Sequence, residues 1–361
     1  MNSLKFIFVH GLSGWGSYDR AYKRMPYWGM RGGDLIAFLR EHGFQSYAAS
    51  VSPTGSAWDR ACELYAQIAG LRTDYGMAHS SSCRHERFGR DFSSSPLIPD
   101  WSEDSRLVLL GHSFGGTTVR LFSELLAHGD PDEQQAASGE GLSDLFKGGR
   151  ENRIKSIVAL ASPINGTTAY DLFEDEKFDP GQVKVPFWSR ALAKMMAMGI
   201  KETNDGRSET DHAGYDMHID NALRLNERIS TLPAVYYFSV PCSSTIKTEN
   251  GTHVPDLKKT DPMFVMRAYQ IGSYTGATKE GTPIDERWQE NDGLVNTFSA
   301  TAPLGAPQTI LDRNDIRPGI WNVFPAYDGD HMSLQGGFTR KTDIRGFYVD
   351  LLTMITKQIN G

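Results

Sequence analysis

Residues 108–122 read VLLGHSFGGTTVRLF, an apolar run that breaks on Gly-His-Ser-Phe-Gly and resumes at helical spacing. A short apolar run bounded by such a break reads as a buried strand, and the restart reads as a helix. Gly111–Gly115 is then a strand-to-helix turn, and two readings of it compete. It is an ordinary glycine-rich connection, or it is the G-x-S-x-G arrangement that presents a serine for attack. In the second reading the glycines remove Cβ clashes from a very tight turn, and Ser113 projects from the carboxyl edge of a sheet. The helix behind it aims free N–H groups and a positive dipole end at the same spot. The flanking strand and helix supply the context that the bare pattern lacks.

Working outward, LKFIFVHG (residues 4–11) is a β-rich run that ends on glycine. DLIAFLREHG reads as a helix stopped by Gly43, FQSYAASV as a strand, and SAWDRACELYAQIAG as a helix with Ala61, Leu64, Tyr65 and Ile68 on one face. RLVLLG, KSIVALASP and AVYYFSV are further strands, and TDIRGFYVDLLTMITKQIN closes the chain as an amphipathic helix. The polar stretch from Asp130 to Glu140 reads as a surface loop. Alternation of strand and helix predicts an α/β architecture, a mostly parallel central sheet with helices on both faces.

Composition narrows the function. The 361 residues carry a net charge of −7, with 37 basic side chains scattered among 44 acidic ones, which argues against a nucleic-acid partner. Three cysteines without a CxxC spacing suggest neither a disulfide framework nor a thiolate metal site. The first apolar run is too short for a membrane span or a signal-peptide core. A native Met1 would place the protein in the cytoplasm; a leader replaced by Met1 would make it secreted.

A nucleophilic serine needs a base, and the chain order expected for such turns is Ser, acid, His. Of the five histidines after Ser113 (His128, His212, His218, His253 and His331), only His331, in YDGDHMSLQG, sits in a polar turn-rich loop between the late sheet and the last helix. The acid is open between Asp292, in an Asn-Asp-Gly turn before a β-like run, and Asp312, Asp315, Asp328 and Asp330. The loop after the first strand, VHGLSGWG, offers the Leu12 N–H as one oxyanion donor, and the Phe114 N–H is the other.

The motifs FVHGLSGWG, YWGMRGGDL, SAWDRACELYAQ, DYGMAHSSSCRHERFGR, GHSFGG, SPINGTT, ENDGLVNT, GIWNV and DHM together resemble the staphylococcal and thermophilic-bacillus family of bacterial true lipases, over nearly the whole chain. The resemblance implies an α/β-hydrolase fold with Ser113 as nucleophile, His331 as base and Asp292 as the acid. Leu12 and Phe114 fall at the oxyanion-donor positions. It implies a serine ester hydrolase, with acyl esters or lipids as substrates and a transient lipid interface. The alternatives are a catalytically silent hydrolase-fold protein that binds lipid or a partner, and an esterase for polyesters or phospholipids.

The resemblance also implies a structural Zn²⁺ held by Asp59, His79, His85 and Asp211. Two imidazoles and two carboxylates form a closed four-ligand set for that ion. The family's Ca²⁺ site is expected to be lost or weakened, because no carboxylate follows His331 until Asp343. The expected organisation is one domain over residues 1–361, with a zinc-associated insertion at 71–100 and a short helical lid or cap at 168–210. In that lid Phe187, Trp188, Leu192, Met195, Met196 and Ile200 form an apolar stripe.

Overall fold

The computed structural model describes residues 4–137, 141–172, 207–339 and 341–361. The strands that organise it are β1 (Leu4–Val9), β2 (Gln45–Ala49), β3 (Arg72–Asp74), β4 (Phe88–Asp91), β5 (Arg106–His112), β6 (Ile154–Leu160), β7 (Tyr236–Val240), β8 (Gln308–Ile310) and β9 (Trp321–Val323). β3 and β4 form a separate antiparallel hairpin. The other seven make one sheet in the order β8-β9-β7-β6-β5-β1-β2, with every neighbouring pair parallel.

Period-2 alternation in β1 feeds both faces of the sheet. Ile7 and Val9 join a core with Leu107 and Leu109 of β5, under α2 (Ala57–Ala69) and α4 (Phe114–His128). Phe6 and Phe8 join the opposite core with Val108 and Leu110, under α1 (Leu35–Glu41) and the C-terminal helix Arg345–Asn360. Each fully buried Leu, Val or Phe in these layers contributes roughly 1.5–3 kcal/mol. Truncating Leu109 to Ala would cost about 2–5 kcal/mol once the cavity is included.

Local chemistry sets the helix ends. The Ser56 hydroxyl accepts from the Asp59 N–H at 3.2 Å and starts α2, which Gly70 ends in the left-handed region at φ 68°. Asp34 caps α1 in the same way.

The structure departs from the sequence reading in four places. Pro131–Ala136 is helical rather than loop, because Asp130 caps the Asp132 and Glu133 N–H groups and Pro131 takes the first position. Within the expected zinc-associated insertion, His79 lies on a regular helix, α3 (Met77–Cys83). α4 starts at Phe114, immediately after the serine. The β-like run after Asp292 is a set of turns, because Asp292 draws the following backbone back on itself. The predicted apolar lid stripe from Phe187 to Ile200 lies outside the described residues. Among the described residues, no helix is long and apolar enough to cross a membrane.

Candidate active site and metal centre

β5 and α4 meet at Ser113, which adopts φ 54° and ψ −130°, a strained conformation for a residue with a side chain. The flanking glycines are demanded by crowding. A Cβ on Gly111 would lie 2.2 Å from the Gly115 carbonyl oxygen, and one on Gly115 would lie 2.3 Å from the Val9 carbonyl oxygen.

The structure brings the expected relay together. His331 Nε2 is 2.9 Å from Ser113 Oγ, and His331 Nδ1 is 2.9 Å from Asp292 Oδ2. All three side chains are buried. The other Asp292 oxygen accepts from the N–H groups of Leu294 (3.0 Å) and Val295 (2.8 Å), which fixes the carboxylate in the turn. The His331 N–H donates to the Asp292 carbonyl at 2.9 Å and ties the two loops together.

The rival acids are engaged elsewhere. Asp330 accepts from the Asp261 N–H and the Ser333 hydroxyl, Asp328 pairs with Lys259, Asp315 faces Arg317, and Asp312 accepts from the Asn314 N–H. Of the other late histidines, His128 pairs with Glu124 and His218 with Asp171.

Two further histidines, unassigned by the sequence reading, brace this centre. His112 Nε2 lies 2.8 Å from the His331 carbonyl oxygen, so it must carry the proton and donate. Nδ1 then accepts from the Tyr27 hydroxyl at 2.6 Å, and that oxygen accepts from the Gly11 N–H at 3.0 Å. Burial, and next the neighbouring His331, lowers His112 to a pKa of about 3. His10 is lowered to about 3 by burial and then by the Arg60 cation. Its Nδ1 donates to the Gly11 carbonyl at 2.8 Å. Both rings are neutral scaffolding at neutral pH. The visible signal was the histidine beside glycine in VHG and in GHS.

Leu12 and Phe114 carry the two N–H groups expected at the oxyanion position. Among the described residues, neither N–H donates to another group. Gly11 packs directly against the serine, since a Cβ there would lie 2.7 Å from Ser113 Cβ. The Phe114 ring is buried, with the Arg60 guanidinium 5.1 Å from its centroid.

The four residues expected to bind metal also converge. One ligand atom from each of Asp59, His79, His85 and Asp211 lies within 4.8 Å of the others. His79 Nε2 is 3.3 Å from Asp59 Oδ1 and 3.4 Å from an Asp211 oxygen; His85 Nε2 is 3.7 and 3.4 Å from the same two carboxylates. A tetrahedral ion with bonds of about 2.0–2.1 Å has ligand–ligand edges of about 3.3 Å, which matches.

Chemistry fits as well. Asp59 Oδ1, Asp211 Oδ2 and both imidazole Nε2 atoms are buried without a hydrogen-bond partner. The His85 Nδ1–H donates to the Glu86 carbonyl at 2.8 Å, which leaves Nε2 as a lone pair for a cation. The remaining Asp211 oxygen accepts from Ser56 Oγ at 2.7 Å. The cluster joins α2, α3 and the Asp211 loop.

Asp261 accepts from the Thr339 N–H (2.8 Å) and hydroxyl (2.6 Å), while Asp330 accepts from Asp261, Met332 and Ser333.

With this geometry in place, the relatives become informative. The family described as "Lipase-like, C-terminal domain" matches residues 2–185 and 199–358. The chain belongs to this lipase-like family. It is 33% identical to a lipase of Staphylococcus epidermidis over 93% of its own length, and it spans about half (50%) of that relative. Among solved structures it resembles EstA from Clostridium botulinum, at 30% identity and a TM-score of 0.83, covering 98% of this chain and 87% of that one. Staphylococcus hyicus lipase matches at 29% identity and a TM-score of 0.80, covering 99% and 97%.

Proposed function

We propose that this chain is a serine ester hydrolase acting on acylglycerols or related apolar acyl esters. One observation carries the reading: the two 2.9 Å contacts that join Ser113, His331 and Asp292 into a single buried relay. Relatives named lipase and the likeness to lipase and esterase folds support it.

In this mechanism His331 Nε2 takes the Ser113 proton as Oγ attacks the ester carbonyl. The Leu12 and Phe114 N–H groups stabilise the oxyanion of the tetrahedral intermediate, each worth about 10²–10³ in rate. His331 then gives its proton to the departing alcohol, leaving an acyl group on Ser113. Water repeats the sequence, with His331 again as base, and releases the acid. Asp292 holds His331 in the Nδ1–H tautomer and stabilises the imidazolium.

We infer that the ion held by Asp59, His79, His85 and Asp211 is Zn²⁺. When bound it supplies a cross-link and neutralises two buried carboxylates; it takes no part in bond cleavage, since four protein ligands leave no open position.

Ser113→Ala should abolish turnover of p-nitrophenyl esters, and the wild-type protein should be labelled at Ser113 by a fluorophosphonate. Wild-type-like turnover in the variant would overturn the mechanism. Absence of labelling in folded protein would favour a silent binding role. A series of ester chain lengths, with and without a lipid interface, separates lipase from short-chain esterase behaviour.

A further inference from the structure

Arg60 is fully buried on α2; the nearby buried Glu63 carboxylate favours its charge, but its guanidinium hydrogen bonds go to backbone carbonyls and to Thr118. Burial lowers its pKa to about 10, so it remains a cation at neutral pH. A buried cation is costly, and it persists only where its donors are well used.

Its donors go to backbone carbonyls of the segments after β1 and β2. One terminal nitrogen donates to the His10 carbonyl. The other donates to the Ser52 carbonyl at 3.0 Å and reaches the Gly11 carbonyl at 3.5 Å. Nε donates to Thr118 Oγ1 at 2.9 Å, whose hydroxyl donates to the Phe114 carbonyl at 3.1 Å. The guanidinium also covers the Phe114 ring. A single side chain thus holds both segments that carry the expected oxyanion donors.

The peptide plane supplies the consequence. In a trans peptide the C=O and the following N–H point in opposite directions. With the Gly11 carbonyl drawn toward Arg60 and His10 Nδ1, the Leu12 N–H is turned to the other side. A planar fork spans three carbonyls at once; a lysine ammonium could hold only part of that set.

Arg60 is also the chain neighbour of Asp59 in the first turn of α2. The segment between them and the metal cluster is tied at both ends. Ser56 Oγ caps Asp59 and donates to Asp211, the Thr54 carbonyl accepts from the Ala213 N–H at 3.0 Å, and the Ser13 N–H donates to the Pro53 carbonyl at 2.8 Å.

We propose that Arg60 is a positioning residue that sets the plane of the Gly11–Leu12 peptide, and that cation occupancy at Asp59, His79, His85 and Asp211 is transmitted to that peptide through Arg60. This rests on the ester-hydrolase reading above. The chemistry selects its own probe. A boronic acid forms a bond from boron to Ser113 Oγ, the serine proton passes to His331, and a boron-bound oxygen occupies the oxyanion position. An inert N-alkyl amide of the same chain length reports ground-state binding only.

Arg60→Met should weaken phenylboronic acid binding by about 10²-fold, the value of one oxyanion donor, and leave amide inhibition nearly unchanged. Arg60→Lys should show the same selectivity with a smaller loss, and it serves as the variant if Arg60→Met fails to fold by circular dichroism. Stripping the metal should weaken boronate binding to wild type, and stripping it from the Arg60 variant should add nothing further, the signature of a shared path. Equal losses for boronate and amide would overturn the positioning role. A full-sized metal effect in the Arg60 variant, or none in wild type, would overturn the coupling. Wild type that neither binds boronate nor labels with fluorophosphonate would instead defeat the underlying hydrolase reading.

Discussion

Replacing Asp292 with Asn should cost about 10⁴ in kcat, and the reason is the direction of three hydrogen bonds. One Asp292 oxygen accepts two backbone N–H groups, from Leu294 and Val295, while the other accepts from His331 Nδ1. An amide has only one acceptor oxygen. The two backbone donors hold that oxygen in the turn, so the NH₂ must face His331. An NH₂ can only donate, so Nδ1 becomes the lone pair and Nε2 carries the proton. That tautomer cannot accept from Ser113 Oγ. A wrong tautomer in an otherwise intact relay costs about 10⁴ in kcat, which is about 5.4 kcal/mol of barrier. Stopped-flow and steady-state hydrolysis of p-nitrophenyl butyrate would measure it, with thermal melts to verify that the variant is folded. Asp330→Asn is the matched control, because Asp330 serves the Asp261, Met332 and Ser333 donors and not the imidazole. It should keep kcat within about tenfold while losing stability, as expected for a group outside the reacting centre. If Asp292→Asn keeps near-wild-type kcat, or if Asp330→Asn is the variant that collapses, the relay has been misassigned.

Three shorter predictions follow from the same geometry. Metal analysis of the dialysed protein should find one Zn²⁺ per chain, and chelation should lower Tm and alter the fluorescence of Trp58, whose ring stacks on His79 at 5.0 Å; ion at 1,000 times its Kd contributes about 4 kcal/mol to stability. Gly111→Ala should destabilise by about 1–3 kcal/mol or more, since its Cβ would sit 2.2 Å from a backbone oxygen; calorimetry showing an unchanged Tm would contradict the packing. His112 titrates normally when unfolded but at about 3 when folded, so the unfolded chain binds the extra proton between roughly pH 6.5 and 3 and stability falls on acidification across that window. The limiting slope is about 1.4 kcal/mol per pH unit, so the stability change from pH 6 to pH 4, measured by urea titration, should be about 2.5 kcal/mol larger for wild type than for His112→Gln.

Much of the architecture was legible because burial repeats with the period of the backbone. β1, β5 and β6 are apolar runs, and α2 and the C-terminal helix carry apolar faces that the sheet covers. The three-residue strands β8 and β9 at one end of the sheet were not legible, since they are too short to show a period. Pro131–Ala136 was passed over because it is polar, although Asp130-Pro131 is a helix-start signal in its own right. At the site, residue type and order singled out Ser113 and His331, but choosing Asp292 over its neighbours needed the resemblance. The reason is physical: what separates Asp292, Asp328 and Asp330 is the partner each meets from far along the chain, His331, Lys259 and the Asp261 N–H respectively. Arg60 was invisible for the same reason. Its helix was read as one apolar face, yet Asp59, Arg60 and Gln67 are buried too, with partners from other loops: Arg207 for Asp59, the His10 carbonyl for Arg60 and the Ser50 N–H for Gln67.

The span of the relay has a consequence for biosynthesis. Ser113 and the imidazole it needs are separated by 218 positions in the chain, and the C-terminal helix that packs behind the sheet comes later still. A ribosome therefore emits Ser113, its glycine turn and the Leu12 segment long before the imidazole that faces them. Until the segment carrying His331 emerges and docks against Asp292 and Ser113, that serine remains an inert alcohol.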